Sequence, residues 1–298
     1  MSGQHTRPDQ SATGTVRQAV LHHAENAARA LQSSRLTDID VHHARKEIKR
    51  SRAALRLLRA ALAETTYRRA DAALRRAARL LNAARDAGVL VRTLDSLRRR
   101  RVVLGQDQAA AALARMLRRR QAHAQRQLRL RPELLAAARG TLQRLQLRAR
   151  RWRVGRHGWP KLEPGFRRIY RAGRRAAGAA NRRPDVLVLH EWRKKVQYLW
   201  HALQILEPLQ SRAPPKLGGL ARRLAEHLGE EHDLALLQST VVASGPRRKP
   251  VSGPLLAAIE RRRRALRSRA MAAGKRLYAR KPRAMAARVG RCCTASRR

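Results

Sequence analysis

One motif, present twice, decides the fold class. Residues 41–50 read Val-His-His-Ala-Arg-Lys-Glu-Ile-Lys-Arg, and residues 189–198, about 148 positions later, read Leu-His-Glu-Trp-Arg-Lys-Lys-Val-Gln-Tyr. Each copy leads into apolar residues at helical spacing. Each also has a downstream partner at nearly the same offset, Leu-Asn-Ala-Ala-Arg-Asp at 81–86 and Leu-Gly-Glu-Glu-His-Asp at 228–233. The repetition predicts a helical unit that has been duplicated within one chain.

The composition favours helices along the whole chain. Hydrophobic residues make up 43% of the 298 residues, but aromatic residues supply only 3%. Abundant Ala, Leu, Arg and Gln with few β-branched residues are typical of helices. We therefore predict an all-α fold, in which two pseudo-symmetric helical bundles pack around a basic central channel.

The pattern also divides the chain into segments. We predict a disordered N terminus at 1–15, a first repeat at about 16–150, a linker at 151–165, a second repeat at about 166–290 and a basic tail at 291–298. Within the repeats the predicted helices lie near 16–33, 38–63, 67–86, 89–101, 107–129, 132–150, 166–182, 186–207, 215–230, 232–242, 254–272 and 275–288.

No segment indicates a membrane or secreted protein. The chain contains no apolar run near the ~18 residues that a membrane span needs. The first 14 residues are polar and lack the apolar stretch of a signal peptide. The two cysteines, Cys292 and Cys293, are adjacent, and adjacent cysteines rarely form a disulfide. We therefore expect a cytoplasmic protein with no membrane partner.

The charge predicts a polyanionic partner. The chain has 69 Lys and Arg against 20 Asp and Glu, a formal net charge of +49. Such a charge opposes compaction unless a polyanion neutralises it. The planar guanidinium group can bind two phosphate oxygens at once, which suits a phosphate polymer.

The first motif helix carries a stripe of positive charge beside its apolar face. At 100° per residue the stripe spans an arc of about 80° and contains no acid, because Glu47 points elsewhere. Its members are His42, Arg45, Lys49, Arg52 and Arg56. The equivalent positions in the second copy are His190, Arg193, Gln197, Trp200 and Gln204, of which only Arg193 is fully charged. We expect the first repeat to make more of the phosphate contacts.

These residues resemble the CHAD family, the conserved histidine α-helical domain, whose members bind inorganic polyphosphate. The family pattern places a His, then an Arg three residues on and a basic residue seven residues on, before an apolar helical run. The first copy matches with His42, Arg45 and Lys49, whereas the second matches with His190 and Arg193. The second copy has Gln197 at the last position, which weakens its part of the site. The resemblance extends from about residue 15 to 290.

The stripes and the resemblance together predict a polyphosphate site. It combines both motif helices with two Arg-Arg pairs on the helices that follow them, and with Arg167 and Arg174 at the edge of a shared channel. The predicted site residues are His42, Arg45, Lys46, Lys49, Arg52, Arg56, Arg75, Arg76, Arg167, Arg174, His190, Arg193, Lys194, Arg222 and Arg223.

Other functions fit the sequence less well. Binding of RNA is the main alternative, because all phosphate polymers share backbone electrostatics. Single-strand binders usually stack bases on aromatic rings, and this chain has few. The motif histidines suit a structural or ligand-positioning role as well as phosphate contact. The spacing of His and acidic residues predicts no metal site, no cofactor and no catalytic residue, and an ion pair or cap is expected for Asp86 and Asp233.

Overall fold

The computed structural model describes residues 11–33, 36–99, 108–210, 217–244 and 253–294. In these ranges the chain forms eleven α-helices, two short 3-10 turns and no strand, which confirms the all-α prediction. None of these helices is both long enough and apolar enough to cross a membrane. The helices are α1 (Ala12–Ala30), α2 (Asp38–Leu57), α3 (Glu64–Leu80), α4 (Asn82–Arg99), α5 (Gln108–Arg129), α6 (Pro132–Arg150), α7 (Trp159–Arg182), α8 (Val186–Leu206), α9 (Leu217–Ser244), α10 (Gly253–Leu277) and α11 (Pro282–Thr294).

Both motif helices begin at a side-chain cap. Thr37 and Asp40 form a capping box at the start of α2, in which each side chain accepts a hydrogen bond from the other residue's backbone N–H. At the start of α8 the Asp185 carboxylate accepts from the backbone N–H of Val188 at 2.9 Å. The caps satisfy amide groups that a helix start leaves without partners. They fix the register in which the motif side chains leave each helix.

Several helix pairings of the two halves correspond. In the first half α1 packs on α2 and α6, α2 packs on α3, and α4 packs on α5. In the second half α7 packs on α8 and α11, α8 packs on α9, and α9 packs on α10. The motif helices α2 and α8 also contact each other directly. The first half also packs α3 on α6, whereas no comparable contact of α9 with α11 is described, so the internal repeat stays a prediction.

The apolar core combines the two halves. One cluster of buried residues joins α1, α2, α3 and α6 to α7, α8, the first turns of α9, the C-terminal end of α10 and the middle of α11. A second cluster joins α4 and α5 to the remainder of α9 and to α10. Each cluster therefore draws on both repeats, and the contact between α2 and α8 lies where the halves meet.

The second repeat has one long helix where two were predicted. The prediction of separate helices at 215–230 and 232–242 is wrong, because α9 runs through both segments. Glu231, in the middle of α9, is only 2% exposed, and Arg263 from α10 donates to it at 2.8 Å. A buried carboxylate is tolerated when it is paired in this way. In the first repeat the corresponding region breaks at Leu81, between α3 and α4.

The predicted N-terminal and linker boundaries also need correction. Residues 1–10 lie outside the described residues, but α1 begins at Ala12 because Ser11 caps it by accepting from the Gly14 backbone N–H at 3.0 Å. The predicted linker is shorter than 151–165, because α7 starts at Trp159 and continues through Pro164.

The C-terminal boundaries differ in the same way. The last two helices meet later than predicted, since α10 continues to Leu277 and α11 begins at Pro282. The predicted basic tail is partly helical, because α11 extends to Thr294. Residues 295–298 lie outside the described residues.

Candidate functional site

Helices α2, α4, α8 and α9 enclose a cavity of about 520 Å³, which we call the central cavity. The first motif helix supplies His42, Arg45, Lys46 and Lys49, and the second supplies Arg193, Gln197, Trp200 and His201. Helix α4 adds Val89, Arg92, Thr93, Ser96 and Leu97, and α9 adds Glu226, Gly229, Glu230, Asp233 and Leu234. The cavity thus joins the two copies of the repeated motif.

Two arginines of the cavity are held in place by the fold. Arg45 Nη1 donates to the backbone carbonyl of Ala78 at 2.7 Å, in the last turn of α3. A guanidinium group is well placed there, because the carbonyl end of a helix carries partial negative charge. Arg193 is only 8% exposed, so its guanidinium lies at the wall of the cavity rather than in bulk solvent. Both groups lose little conformational freedom when a ligand binds.

Carboxylates from α9 face the same cavity. Five Arg and Lys side chains line it against three acids, Glu226, Glu230 and Asp233. Arg262 from α10 donates two hydrogen bonds to Glu230, at 2.8 and 3.0 Å, and Arg222 lies 3.7 Å from Glu226. The positive charge is therefore concentrated on the α2 side. The sequence pattern did not predict these glutamates as site residues, although Glu230 lies in the segment 228–233 that follows the second motif.

The comparisons with known proteins agree with this architecture. A family model described as the CHAD domain matches residues 15–242, about three quarters of the chain. The chain belongs to the CHAD family. The match includes both motif helices and stops within α9, so α10 and α11 lie beyond it.

A solved CHAD structure has the same fold. The crystal structure of the CHAD domain from the plant Ricinus communis is similar over 97% of this chain and 94% of that chain, with a TM-score of 0.60 and 16% sequence identity. At this identity the similarity establishes the fold alone. No curated protein sequence matches the chain.

In this CHAD domain the residues of the predicted stripe that follow Lys49 point away from the central cavity. Arg52 turns towards α3, where its Nη2 lies 3.0 Å from a carboxylate oxygen of Asp71. The guanidinium of Arg56 lies over the ring of Tyr198 at 4.2 Å, a cation–π contact between the two motif helices. Arg52 and Arg56 therefore stabilise the packing of α2 and do not line the central cavity.

The predicted Arg-Arg pairs lie outside the central cavity as well. Arg75 is exposed and lies 3.4 Å from Asp71, and Arg222 approaches Glu226 as described above. Arg76 lines a different cavity between α3 and α6. Arg223 is exposed and contributes nothing to the central cavity. The two Arg-Arg pairs are therefore absent from the lining of the central cavity, and their contact with a phosphate chain stays a prediction.

The remaining predicted residues have other local partners. Arg167 lies 3.5 Å from Glu163, Arg174 Nε donates to the backbone carbonyl of Tyr278 at 3.2 Å, and Lys194 Nζ donates to Glu191 at 2.5 Å. His190 packs against the ring of His232 on α9, with centroids 4.4 Å apart. Of the fifteen predicted residues, the central cavity contains His42, Arg45, Lys46, Lys49 and Arg193.

A buried polar cluster supports the opposite side of α2. Glu47 is 1% exposed and accepts hydrogen bonds at 2.7 Å from both His23 of α1 and Arg50. Burial by itself raises the pKa of Glu47, but hydrogen bonds and positive charge from His23 and Arg50 outweigh it and lower the pKa to about 2. Glu47 therefore points away from the stripe, as predicted, and its charge anchors α2 to α1.

His201 separates this cluster from the central cavity. The residue is 3% exposed, and its burial lowers its pKa to about 4, with further lowering by the charges of Arg50 and Lys49. His201 is therefore neutral near pH 7 and adds no cation to the cavity. Among the described residues, no three His, Cys, Asp or Glu side chains gather as a metal ion would require.

Proposed function

We propose that this CHAD domain binds inorganic polyphosphate in the central cavity. The observation that carries the proposal is that motif residues from the two repeats converge, with Arg45 and Lys49 on one wall and Arg193 on another. A phosphate chain presents closely spaced oxyanions with uniform charge along its length. Charge-assisted hydrogen bonds from Arg and Lys on more than one side suit such a ligand.

The positions of the arginines support binding by a preorganised site. The hydrogen bond from Arg45 to the Ala78 carbonyl fixes the position of the guanidinium group at the wall of the cavity. The burial of Arg193 places its charge in a medium of lower dielectric constant, where attraction to an oxyanion is stronger than in water. The α2 side of the cavity therefore makes the main phosphate contacts, and the glutamates of α9 limit how the chain is oriented.

We infer binding without catalysis. Phosphoryl transfer and polyphosphate cleavage usually depend on carboxylates that hold Mg²⁺ beside the reacting phosphate. Here Glu230 is occupied by two hydrogen bonds from Arg262, and Glu226 lies beside Arg222. These arginine contacts leave the two glutamates poorly suited to hold a metal ion. A binding role of this kind would bring the protein to polyphosphate granules in the cell.

RNA is the second candidate ligand, and one side chain favours it. Trp200 lines the central cavity, and indole rings are common platforms for stacked bases. Its ring already stacks on His201, with centroids 4.9 Å apart and an interplanar angle of 26°. One face of the indole is therefore occupied, which favours the inorganic polymer over RNA.

A competition titration tests the proposed function. Long-chain polyphosphate and single-stranded RNA compete for the purified protein at equal phosphate concentration and at several salt concentrations. We expect polyphosphate to displace RNA throughout, with affinity that falls steeply as salt rises because counterions are released. RNA binding that equals or exceeds polyphosphate binding would show that the proposed ligand is wrong.

A further inference from the structure

A second cavity of about 680 Å³ lies between α3 and α6, and we call it the arginine groove. Among the described residues, six arginines and no acidic residue line it, three from α3 and three from α6 when its C-terminal cap Arg151 is counted. They are Arg69, Arg76, Arg79, Arg144, Arg148 and Arg151. All six are exposed, and in the part of the chain that the structure describes none has a carboxylate within ion-pair distance.

Several exposed arginines outside the groove do have acidic partners. Arg75, also on α3 but outside the groove, pairs with Asp71, and Arg68 pairs with Glu64 at 2.9 Å. Arg29 on α1 pairs with Glu25 at 2.7 Å. Six unpaired guanidinium groups facing one groove repel one another, and this repulsion is relieved when an anion binds between them.

The spacing of the six residues gives the groove a direction. On α3 they occur at i, i+7 and i+10, and on α6 at i, i+4 and i+7, so each set faces one side of its helix. The α3 set extends about 15 Å along the helix axis. Small residues, Ala70 and Ala73, lie among the lining residues and leave the floor of the groove open. The groove therefore suits an extended, narrow chain.

The last turn of α3 connects the arginine groove to the central cavity. Arg45, which lines the central cavity, donates to the carbonyl of Ala78, and the next residue, Arg79, lines the groove. The two cavities therefore approach each other at the C-terminal end of α3.

We propose that the arginine groove is a second phosphate-chain site, which binds the continuation of the polyphosphate held in the central cavity and so selects long chains. The inference rests on the proposed function and adds a site and a length preference to it. Nucleic acid is less well suited to the groove, because its only aromatic lining residue, Trp152, is 8% exposed and offers little ring surface for stacking.

A four-site variant tests this inference. Arg76→Gln, Arg79→Gln, Arg144→Gln and Arg148→Gln remove charge from the groove and leave the central cavity intact. The matched control removes four exposed arginines of α5 that line neither cavity, as Arg115→Gln, Arg119→Gln, Arg126→Gln and Arg129→Gln. Circular dichroism and thermal unfolding check that both variants fold.

Binding of tripolyphosphate and of long-chain polyphosphate is measured for both variants by calorimetry at several salt concentrations. We expect the groove variant to bind tripolyphosphate as the wild type does, but to lose about tenfold in affinity for the long chain. Its salt dependence should fall by about 0.7 in log–log slope for each lost contact. The α5 control should change neither affinity nor slope appreciably.

The outcomes separate the two proposals. A groove variant that matches the α5 control on the long chain overturns the inference, as does an equal loss for tripolyphosphate and the long chain. If the wild type binds no polyphosphate of any length, the proposed function itself fails, and this inference fails with it.

Discussion

Replacement of Glu47 by Gln tests how α2 is held against α1. The pKa of this carboxylate is lowered from 4.5 to about 2, a difference of about 2.5 pH units. Each unit corresponds to about 1.4 kcal/mol, so the ionised carboxylate stabilises the fold by up to about 3 kcal/mol. The residue is almost completely buried, so solvent screening reduces this value little. We expect Glu47→Gln to lower the free energy of unfolding by about that amount at pH 7.

The same prediction has a definite pH dependence. Because the pKa is lower in the folded state, the stabilisation is complete above about pH 4.5 and is lost as the pH falls towards 2. The difference between wild type and Glu47→Gln should therefore shrink over this interval. His23, His43 and Arg50 face the carboxylate, and His43 is the most distant at 3.6 Å.

Urea unfolding at pH 7, 5, 4 and 3 measures this difference. The control is Glu25→Gln, because Glu25 is an exposed acid on α1 that pairs with Arg29. An exposed pair of this kind contributes about 0.5 kcal/mol or less. The reasoning is refuted if the two variants lose equal stability at pH 7, or if the loss in Glu47→Gln stays constant down to pH 3.

Two further predictions concern packing and ligand binding. A Cβ at Gly165 would lie 2.3 Å from the backbone carbonyl oxygen of Leu57, so Gly165→Ala should cost about 3 kcal/mol or more in urea unfolding. Gly178→Ala is the control, because the nearest atom to its Cβ would be 3.7 Å away on the flexible Arg182 side chain, and it should be neutral or slightly stabilising. An equal loss of stability in the two variants would contradict the close packing of Gly165 against Leu57. Polyphosphate at 100 times its dissociation constant should stabilise the fold by about 2.7 kcal/mol and raise the melting temperature by several degrees. An unchanged melting temperature would contradict binding to the folded state.

The sequence predicted the elements that local chemistry determines. The period of Val41, Ala44 and Ile48 located the buried face of α2, and all three side chains are buried. The motif helices predicted at 38–63 and 186–207 begin at those residues in the structure, directly after the side-chain caps Thr37 and Asp185. These features depend on neighbouring residues, so a single sequence contains them.

The rest depends on tertiary contacts that the pattern does not contain. Arg52 continues the stripe in sequence, but it pairs with Asp71 because α3 packs beside that part of α2. The predicted break between residues 230 and 232 is absent, since α9 continues through it and its buried Glu231 pairs with Arg263 of α10. The arginine groove arises only when α6 packs on α3, about 70 residues apart in sequence. The sequence therefore gives the number of charged side chains, but it does not predict which residues they contact in the folded protein.

The most direct test of the central claim compares two double charge reversals in the motif helices. Lys46 and Lys49 line the central cavity, whereas Lys194 and Lys195 lie on α8 beside Glu191 and outside it. The variants Lys46→Glu/Lys49→Glu and Lys194→Glu/Lys195→Glu change the net charge of the protein equally. Calorimetric titration with tripolyphosphate should show a loss of about tenfold or more for the first and about twofold or less for the second. Equal losses would show that binding follows total charge, and that the central cavity is not the site.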